Sequence, residues 1–306
     1  MNKLDEQYRG ILAELLYNGR EKEDRTVTGT LSKFEMQIRH NMKDGFPLLT
    51  TKKMAFKTMV TELKWFLKGD TNIKYLVDNG CNIWNGDAFK SFKSKQYPHS
   101  SGLNEFEMED FIIAIKNGHY KEYNLGELGP IYGKQWRKWD KIEDDGMEYG
   151  LSEIDQIANL INELKTNPDS RRLMVSAWNV GELDQMTLPP CHYGFQCYVA
   201  DGKLSLMWNQ RSVDIPLGLP FNIASYGTLL LLLCEETGYE PGELIGSLGD
   251  CHIYLNQIEG AEEQISRDGF DLPTIKLSNV DILDGEFNYE LVNYQSATPI
   301  KFPLSN

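Results

Sequence analysis

The sequence has few of the features that mark disulfide-bonded, zinc-binding or membrane proteins. Its 306 residues include five cysteines, an odd number, and no CxxC pair. This count and spacing argue against a disulfide framework and against a zinc site of the usual pattern. The longest apolar run, Thr228 to Cys234, is too short to span a bilayer. The first residues have no apolar segment typical of a signal peptide. We therefore expect no metal, no membrane contact and a cytoplasmic protein, or one of the host cytoplasm if its source is viral.

Positive charge is also scarce. The chain has 31 lysines and arginines against 45 aspartates and glutamates, a formal net charge of −14, and only nine arginines. A surface of this charge repels phosphate backbones, so we expect no DNA partner and no general nucleic-acid binding. A small basic pocket for a single phosphate is still compatible with it.

The chain is rich in residues that can form a large core. Hydrophobic residues make up 41% and aromatic residues 11%, without internal repeats or low-complexity tracts. No clear linker divides the sequence, so we predict one domain over residues 1–306. The segment from Asn85 to Glu127 is rich in Lys, Ser, Asn and Glu. We predict that it is a surface insertion, at about 85–127, with one short helix near Glu107 to Lys116.

The spacing of apolar residues predicts both helices and strands. Helical spacing favours helices over Leu4–Leu15, Thr58–Leu67, Ile157–Leu164 and Ala224–Glu236, the last of them buried on all sides. Alternation favours strands over Thr28–Arg39, Arg172–Trp178, Phe195–Ala200, Lys203–Asn209 and within Asp281–Lys301. Asp201-Gly202 is a hairpin signal. The predicted fold class is α+β, a single domain with a mostly antiparallel or mixed sheet packed with helices.

A candidate nucleophile lies in Leu188-Pro189-Pro190-Cys191-His192. The two prolines restrict the backbone before Cys191 and hold its thiol at the end of a turn. A nearby cation would make that thiol a thiolate nucleophile. The alternative is a buried structural cysteine.

Three further residues have side chains suited to a nucleotide. Arg211 and Ser212 together could hold a phosphate by charge and hydrogen bonds. Asn222, at the entrance to the predicted buried helix, offers a donor beside an acceptor, which suits an imide edge such as uracil N3 and O4. Ordinary strand-end polarity and helix capping are the structural alternatives.

Other polar residues allow two interpretations each. His252 and Tyr254 share one face of a predicted strand and could donate to a sugar hydroxyl, or form a half-buried polar pair. Arg171 and Arg172 form either a charged loop or part of an anion site. Glu62 places a carboxylate among large apolar residues of a predicted helix. Burying a charged group there is costly unless it has a partner or a function.

Together and in this order, these motifs resemble the thymidylate synthase family. The matching segments are Asp24-Arg25-Thr26, Phe46–Lys52, Glu62–Leu67, Ile83-Trp84, Gly129–Arg137, Ser170–Arg172, Pro189–His192, Gln210–Asp214, Leu217–Tyr226 and Gly249–Tyr254. Their length and order make the resemblance specific. Only the insertion and the C-terminal part match loosely.

The resemblance implies a methyltransferase that converts dUMP to dTMP. The carbon and hydride donor would be 5,10-methylene-tetrahydrofolate, a cosubstrate, and no metal would take part. Cys191 looks like the nucleophile that adds to carbon 6 of the pyrimidine. Glu62, Tyr132 and His192 resemble the residues that handle protons and order water, with Tyr132 implicated in removing the carbon 5 proton.

The resemblance also implies the binding residues. Arg25, Arg211 and Ser212 look like a phosphate clamp that is completed by Arg171 and Arg172 from the other subunit of a homodimer. Asn222 looks like the group that recognises the base, and His252 and Tyr254 like the ribose contacts. The folate would contact Asp214, Trp84, Gly218 and Lys52, the last through its glutamate tail. Asn222 and Asp214 are expected to serve catalysis as well as binding.

Several segments depart from the family pattern. Asn85-Gly86-Asp87 stands where an acidic residue and then a second Trp are common, and Asn256-Gln257 stands where Asn-His is usual. The chain ends in Ser305-Asn306 rather than in a small apolar residue, and the insertion is long. Two of these departures affect the folate side and the exclusion of water. The main alternative is therefore a dUMP 5-hydroxymethylase, in which water replaces hydride. A more distant alternative is a non-catalytic RNA-binding paralogue, which the net charge opposes.

Overall fold

The strands of the protein form one large sheet and two hairpins. The computed structural model describes residues 2–24, 26–144 and 149–305. The strands there are β1 (Arg20–Lys22), β2 (Thr30–Asn41), β3 (Trp139–Asp144), β4 (Tyr149–Ile154), β5 (Met174–Ser176), β6 (His192–Ala200), β7 (Lys203–Asp214), β8 (Glu240–Tyr254), β9 (Thr274–Asp281) and β10 (Glu286–Val292). β3 pairs with β4, and β9 with β10, as separate two-stranded sheets.

The large sheet has six strands in the order β1-β2-β8-β7-β6-β5. Neighbouring strands are antiparallel except β7 and β8, which are parallel. Between β6 and β7, Asp201 and Gly202 have φ angles of 52° and 73°. Two positive φ angles are the turn geometry that a two-residue hairpin requires. The predicted hairpin and the predicted mixed, mostly antiparallel sheet are confirmed.

The helices of the described residues are α1 (Lys3–Asn18), α2 (Phe56–Leu67), α3 (Lys74–Asp78), α4 (Asn85–Ser94), α5 (Met108–Lys116), α6 (Tyr120–Tyr123), α7 (Tyr132–Arg137), α8 (Gln156–Thr166), α9 (Gly218–Thr237) and α10 (Ile258–Ser266). Of these, α1, α7, α8, α9 and α10 pack against strands of the large sheet. Asn2 caps α1 by accepting from the Asp5 amide at 2.8 Å, and Asp155 caps α8 by accepting from the Ala158 amide at 2.9 Å. Each cap satisfies an amide with no partner inside its helix.

The central helix α9 connects β7 to β8 and packs on both. Its length and apolar composition would suffice to cross a membrane, but 67% of that apolar window is buried inside the protein. It is therefore the core helix that the sequence predicts. Its start was predicted too late, at Ala224. Pro220 lies in the first turn, where a missing N–H costs nothing, so the helix begins already at Gly218.

The segment predicted as a surface insertion has buried side chains of its own. Helix α5 confirms the predicted short helix, but α4 was not predicted. Phe92, Leu103 and Phe111 are at most 5% exposed and belong to the same hydrophobic cluster as the rest of the core. The polar composition concealed this because the buried apolar residues alternate with Lys, Ser, Asn and Glu along the segment.

Several strand boundaries differ from the predictions. β2 is Thr30–Asn41 and not Thr28–Arg39, β6 begins at His192 and not at Phe195, and β7 extends to Asp214 and not to Asn209. The strand expected over Arg172–Trp178 is limited to β5, because only Met174, Val175 and Ser176 have pairing partners on β6. The C-terminal hairpin begins with β9 at Thr274, before the predicted start at Asp281.

Candidate active site

Cys191 lies immediately before β6, next to the middle of β7. The Arg211 amide donates to the Cys191 carbonyl at 2.8 Å. The Arg211 guanidinium donates from Nε to the Pro190 carbonyl and from Nη2 to the Pro189 carbonyl, both at 2.9 Å. Its Nη2 is also 3.9 Å from Cys191 Sγ. The two prolines thus present carbonyls that hold a cation beside the thiol, and such a cation favours the thiolate form.

Behind the thiol lies a group of neutral rings. The Cys191 amide donates to the Tyr132 hydroxyl at 2.8 Å. The His192 ring stacks on Tyr132 with centroids 4.3 Å apart, and its Nδ1 is 2.8 Å from the Tyr226 hydroxyl. Burial lowers the pKa of His192 to about 3 and raises the pKa of Tyr132 well above its usual value. Both groups are therefore neutral at physiological pH, and they can exchange hydrogen bonds without carrying charge.

Glu62 on α2 is a carboxyl group with a perturbed pKa. It accepts a hydrogen bond from Trp84 Nε1 at 2.7 Å. Burial raises the pKa of Glu62 to about 7, and the Trp84 hydrogen bond opposes that shift. The residue as a whole keeps some accessible surface, so its carboxyl is enclosed but can be reached. A carboxyl that titrates near neutrality can act as general acid and base.

Asn222 lies in the first turns of α9, and a residue of β7 orients its side chain. Gln210 Nε2 donates to Asn222 Oδ1 at 3.2 Å, and Gln210 Oε1 accepts from Trp208 Nε1 at 3.1 Å. With its oxygen engaged in this way, Asn222 can direct its amide N–H groups at a ligand. Sequence reasoning gave Gln210 no role. Its alternation with Trp208 on one strand was the available signal that it faces inward.

The end of β7 brings together Asp214 and the first residue of α9. Asp214 Oδ1 accepts from the Leu217 amide at 2.9 Å, and Oδ2 accepts from Gln257 Nε2 at 3.0 Å. Burial raises the pKa of Asp214, while these hydrogen bonds and the nearby positive groups oppose the shift. A Cβ added at Gly218 would lie 3.9 Å from both Asn222 Oδ1 and Asp214 Cβ. A Cβ at this position would therefore be in ordinary contact with both polar side chains.

His252 and Tyr254 lie on β8, beside the end of β7. Asp214 is the register partner of His252, and Ser212 is that of Asp250. The His252 and Tyr254 rings meet edge to face with centroids 5.2 Å apart. The pairing of β7 with β8 thus places the predicted ribose contacts next to Ser212 and Asp214, while the predicted base contact Asn222 lies on α9.

Lys52 is buried, and its ammonium already has partners within the protein. The residue is 6% exposed, its ammonium donates to the Pro216 carbonyl, and it lies 4.6 Å from the centre of the Phe302 ring. Burial lowers the pKa of Lys52 to about 8, and the charge of Asp214 opposes that change. Contact with a folate tail would require the segment around Phe302 to move.

The remaining predicted residues lie elsewhere or outside the described ranges. Arg171 and Arg172 are exposed in the loop between α8 and β5. Arg25 lies outside the described residues. Within the described ranges, no group of three or more His, Cys, Asp or Glu residues could hold a metal ion.

Comparisons with known proteins agree with this arrangement. The family model described as thymidylate synthase matches residues 6–306. A thymidylate synthase of Mycoplasma mobile is 47% identical over 303 residues, which cover 97% of this chain and 98% of that protein. Thymidylate synthases of Staphylococcus haemolyticus and Listeria monocytogenes serotype 4a are 44% and 45% identical, covering 100% and 98% of this chain and 99% of each relative.

Proposed function

This chain belongs to the thymidylate synthase family and methylates dUMP to dTMP, and from that premise we propose that Cys191 initiates the reaction by adding to carbon 6 of the pyrimidine. The observation that carries this proposal is the Arg211 guanidinium, anchored on the Pro189 and Pro190 carbonyls and 3.9 Å from the thiol. A fixed cation of this kind stabilises a thiolate before the substrate arrives.

Arg211 and Ser212 bind the phosphate of dUMP in this scheme, together with Arg25. Arg211 uses Nε and Nη2 in its contacts with the proline carbonyls and the thiol, so its Nη1 is directed to another acceptor. Arg171 and Arg172 of the partner subunit complete the clamp. Their exposure in a loop beside the sheet edge supports this role, since a guanidinium that serves its own subunit's site would be drawn toward that site.

The homodimer that this clamp requires forms through the face of the large sheet that carries Tyr198. Tyr198 is 67% exposed and lines a groove together with Met207 and Ile245. Exposed apolar residues on a sheet face are typical of a subunit interface.

Asn222 selects uracil by presenting its amide to the imide edge of the base. The Gln210 hydrogen bond to Asn222 Oδ1 sets the orientation of that amide. His252 and Tyr254 donate to the ribose hydroxyl from the neighbouring strand. All three residues occupy the end of β7 and its surroundings, so one rigid sheet edge fixes the whole nucleotide.

Glu62, Tyr132 and His192 handle the protons. Glu62 titrates near neutrality and exchanges protons with the pyrimidine through ordered water. Tyr132, neutral and tied to the Cys191 amide, assists removal of the carbon 5 proton by positioning the water that accepts it, and neutral His192 holds water by its remaining ring nitrogen. These roles are supported by the raised pKa of Glu62 and the lowered pKa of His192.

The second substrate is 5,10-methylene-tetrahydrofolate, which supplies the carbon and the hydride. Asp214 accepts from its pterin, Trp84 forms a wall of the pocket, and Gly218 leaves room for the ring. The enclosed Asp214 carboxylate fits a heterocycle with N–H donors. Lys52 either holds the C-terminal segment, residues 302–305, in place beside the folate site, or contacts the glutamate tail of the folate after that segment moves. We place this soluble enzyme in the cytoplasm, without a metal.

The test is a reaction of the purified protein with dUMP and 5,10-methylene-tetrahydrofolate. Dihydrofolate absorbance and the mass of the nucleotide product are followed together. We expect dihydrofolate to form in step with dTMP, and a folded Cys191→Ser variant to form neither. Formation of 5-hydroxymethyl-dUMP without dihydrofolate would contradict the role of hydride, and turnover by the Cys191→Ser variant would contradict the role of the thiol.

A further inference from the structure

Gln257 is a buried amide whose polar atoms are all engaged. It ends the short turn Leu255–Gln257 after β8 and is 1% exposed. Its Nε2 donates to Asp214 Oδ2 and to the Pro303 carbonyl, both at 3.0 Å, and its Oε1 accepts from the Tyr254 amide at 3.1 Å. A single nitrogen therefore connects the end of β7 with the C-terminal segment.

Other contacts hold the same segment in place. The Lys52 ammonium lies under the Phe302 ring, and Asn256 Nδ2 is 3.2 Å from Ser305 Oγ. A Cβ at Gly260 would come within 2.7 Å of the Phe302 ring, so α10 and this ring are in close contact. Among these contacts, the one made by Gln257 reaches the Asp214 carboxylate, the proposed pterin contact.

We propose that Gln257 is a positioning residue that couples the docked C-terminal segment to the Asp214 carboxylate and thereby sets the affinity for the folate. This inference rests on the proposed role of Asp214 as a folate contact. When the segment is docked, the Gln257 amide, which also bonds to Pro303, donates to Asp214 Oδ2 and holds it in place. Asp214 is then held at both oxygens, Oδ1 by the Leu217 amide and Oδ2 by Gln257. Loss of the Gln257 amide leaves Oδ2 without this donor and removes one of the contacts that hold the segment.

The amide is chemically suited to this role. A carboxamide nitrogen carries two N–H groups in one plane, so it can donate to two acceptors at once. An imidazole, the usual group at this position in the family pattern, has at most one N–H on each nitrogen. It cannot make both bonds from one atom. A leucine keeps the approximate volume but leaves Asp214 Oδ2 and the Pro303 carbonyl without a donor.

The test compares Gln257→Leu with Gln257→His and with a matched control. The control is Gln156→Leu, because Gln156 likewise donates to two acceptors, the Gln135 and Ser176 carbonyls, and accepts from the Ser176 amide. It has no contact with Asp214 or with the C-terminal segment. The KM for 5,10-methylene-tetrahydrofolate is measured by turnover, and the dissociation constant for dUMP is measured by calorimetry without folate.

We expect Gln257→Leu to raise the folate KM about tenfold, the effect of losing one hydrogen bond to a charged group. Nucleotide binding should change by less than about twofold. Gln257→His keeps one donor and should give an intermediate folate KM. If Gln257→Leu does not fold, the folate KM of Gln257→His tests the coupling. The Gln156→Leu control should leave the ratio of the folate KM to the dUMP dissociation constant unchanged.

Two results would overturn the coupling: an unchanged folate KM in both Gln257 variants, or a parallel rise of folate KM and dUMP dissociation constant, which is what general destabilisation gives. A wild-type protein that forms no dTMP at all would overturn the proposed function itself, and this inference with it.

Discussion

At the residue scale, one guanidinium links nucleotide binding to activation of the nucleophile. Arg211 spans the Pro189 and Pro190 carbonyls and approaches the Cys191 thiol, and its backbone amide pairs with the Cys191 carbonyl. Because the same cation serves the phosphate and the thiolate, a defect at this position should affect both. Neighbouring His192 does not share this role, since burial keeps it neutral.

We predict that Arg211→Ala weakens dUMP binding by about 2–3 kcal/mol, the contribution of a charge-assisted hydrogen bond. Calorimetry with dUMP gives the change directly. Arg20→Ala, which removes the same charge from the exposed edge strand β1, is the control and should bind dUMP normally. Unchanged binding by Arg211→Ala would place the phosphate elsewhere.

Glu62 gives a prediction about stability and pH. Its pKa is raised from 4.5 to about 7 in the folded protein. Between these values the unfolded state releases a proton that the folded state retains, so ionisation of Glu62 favours unfolding increasingly as pH rises through this window. Replacement by the neutral Gln removes that cost. Relative to wild type, Glu62→Gln should therefore gain up to about 3 kcal/mol of stability between pH 5 and pH 8.

Urea unfolding of both proteins at pH 5 and pH 8 measures this difference. A stability gap that is the same at both values would mean that Glu62 ionises normally in the folded state. The activity of the variant should be strongly reduced at both values, since an amide cannot exchange the proton.

At the scale of elements, the connection from β7 through α9 to β8 organises the site. The strand presents Gln210, Arg211 and Asp214, and the helix begins at Gly218 and carries Asn222. Pairing of β7 with β8 then places His252 beside Asp214. The parallel crossover is what brings residues from distant parts of the sequence to one strand end.

The start of α9 yields a prediction about the folate. Gly218 has an ordinary negative φ and room for a Cβ at 3.9 Å from its neighbours, so Gly218→Val should fold. In the proposed site its two methyl groups would crowd the pterin beside Asn222 and Asp214. We expect the folate KM to rise at least about tenfold, with a smaller effect on dUMP binding.

Gly10→Val controls for placing valine in a helix, because a Cβ at Gly10 in α1 meets nothing within 4 Å. That variant should keep both constants close to wild type. Normal folate KM in Gly218→Val would show that the pterin lies away from the start of α9.

At the scale of the whole molecule, the proposed active site needs two subunits. In one chain the arginine pair lies exposed beside the edge strand β5, and Tyr198 is exposed on the sheet face proposed as the dimer interface. In the proposed symmetric dimer, each subunit's Cys191 would have access to the other subunit's arginines.

We predict that mixing two inactive variants restores activity. Dimers of Cys191→Ser and dimers of Arg172→Ala are each expected to be impaired. In a mixed dimer, the site with an intact Cys191 receives an intact Arg172 from the other chain. Equal mixing with full exchange should therefore recover about one quarter of wild-type activity, since half of the dimers are mixed and each has one good site. No recovery after demonstrated subunit exchange would mean that Arg172 serves its own chain.

The sequence alone determined the class of the fold, the central helix and the family. These depend on local information: apolar spacing in α8 and α9, the Asp201-Gly202 turn, and motifs such as Pro190-Cys191-His192 that are read residue by residue. Local spacing suffices because a helix or hairpin buries its apolar side through residues that are near in sequence.

Only the tertiary structure decided which partners the polar groups have. Lys52 bonds to Pro216, which lies 164 residues away, and Gln257 bonds to Asp214 and Pro303, 43 and 46 residues away. Likewise, the apolar residues of the 85–127 segment join the main core although their sequence is largely polar. A hydrogen bond or a buried contact depends on what the folded chain brings within reach, and no local pattern carries that information.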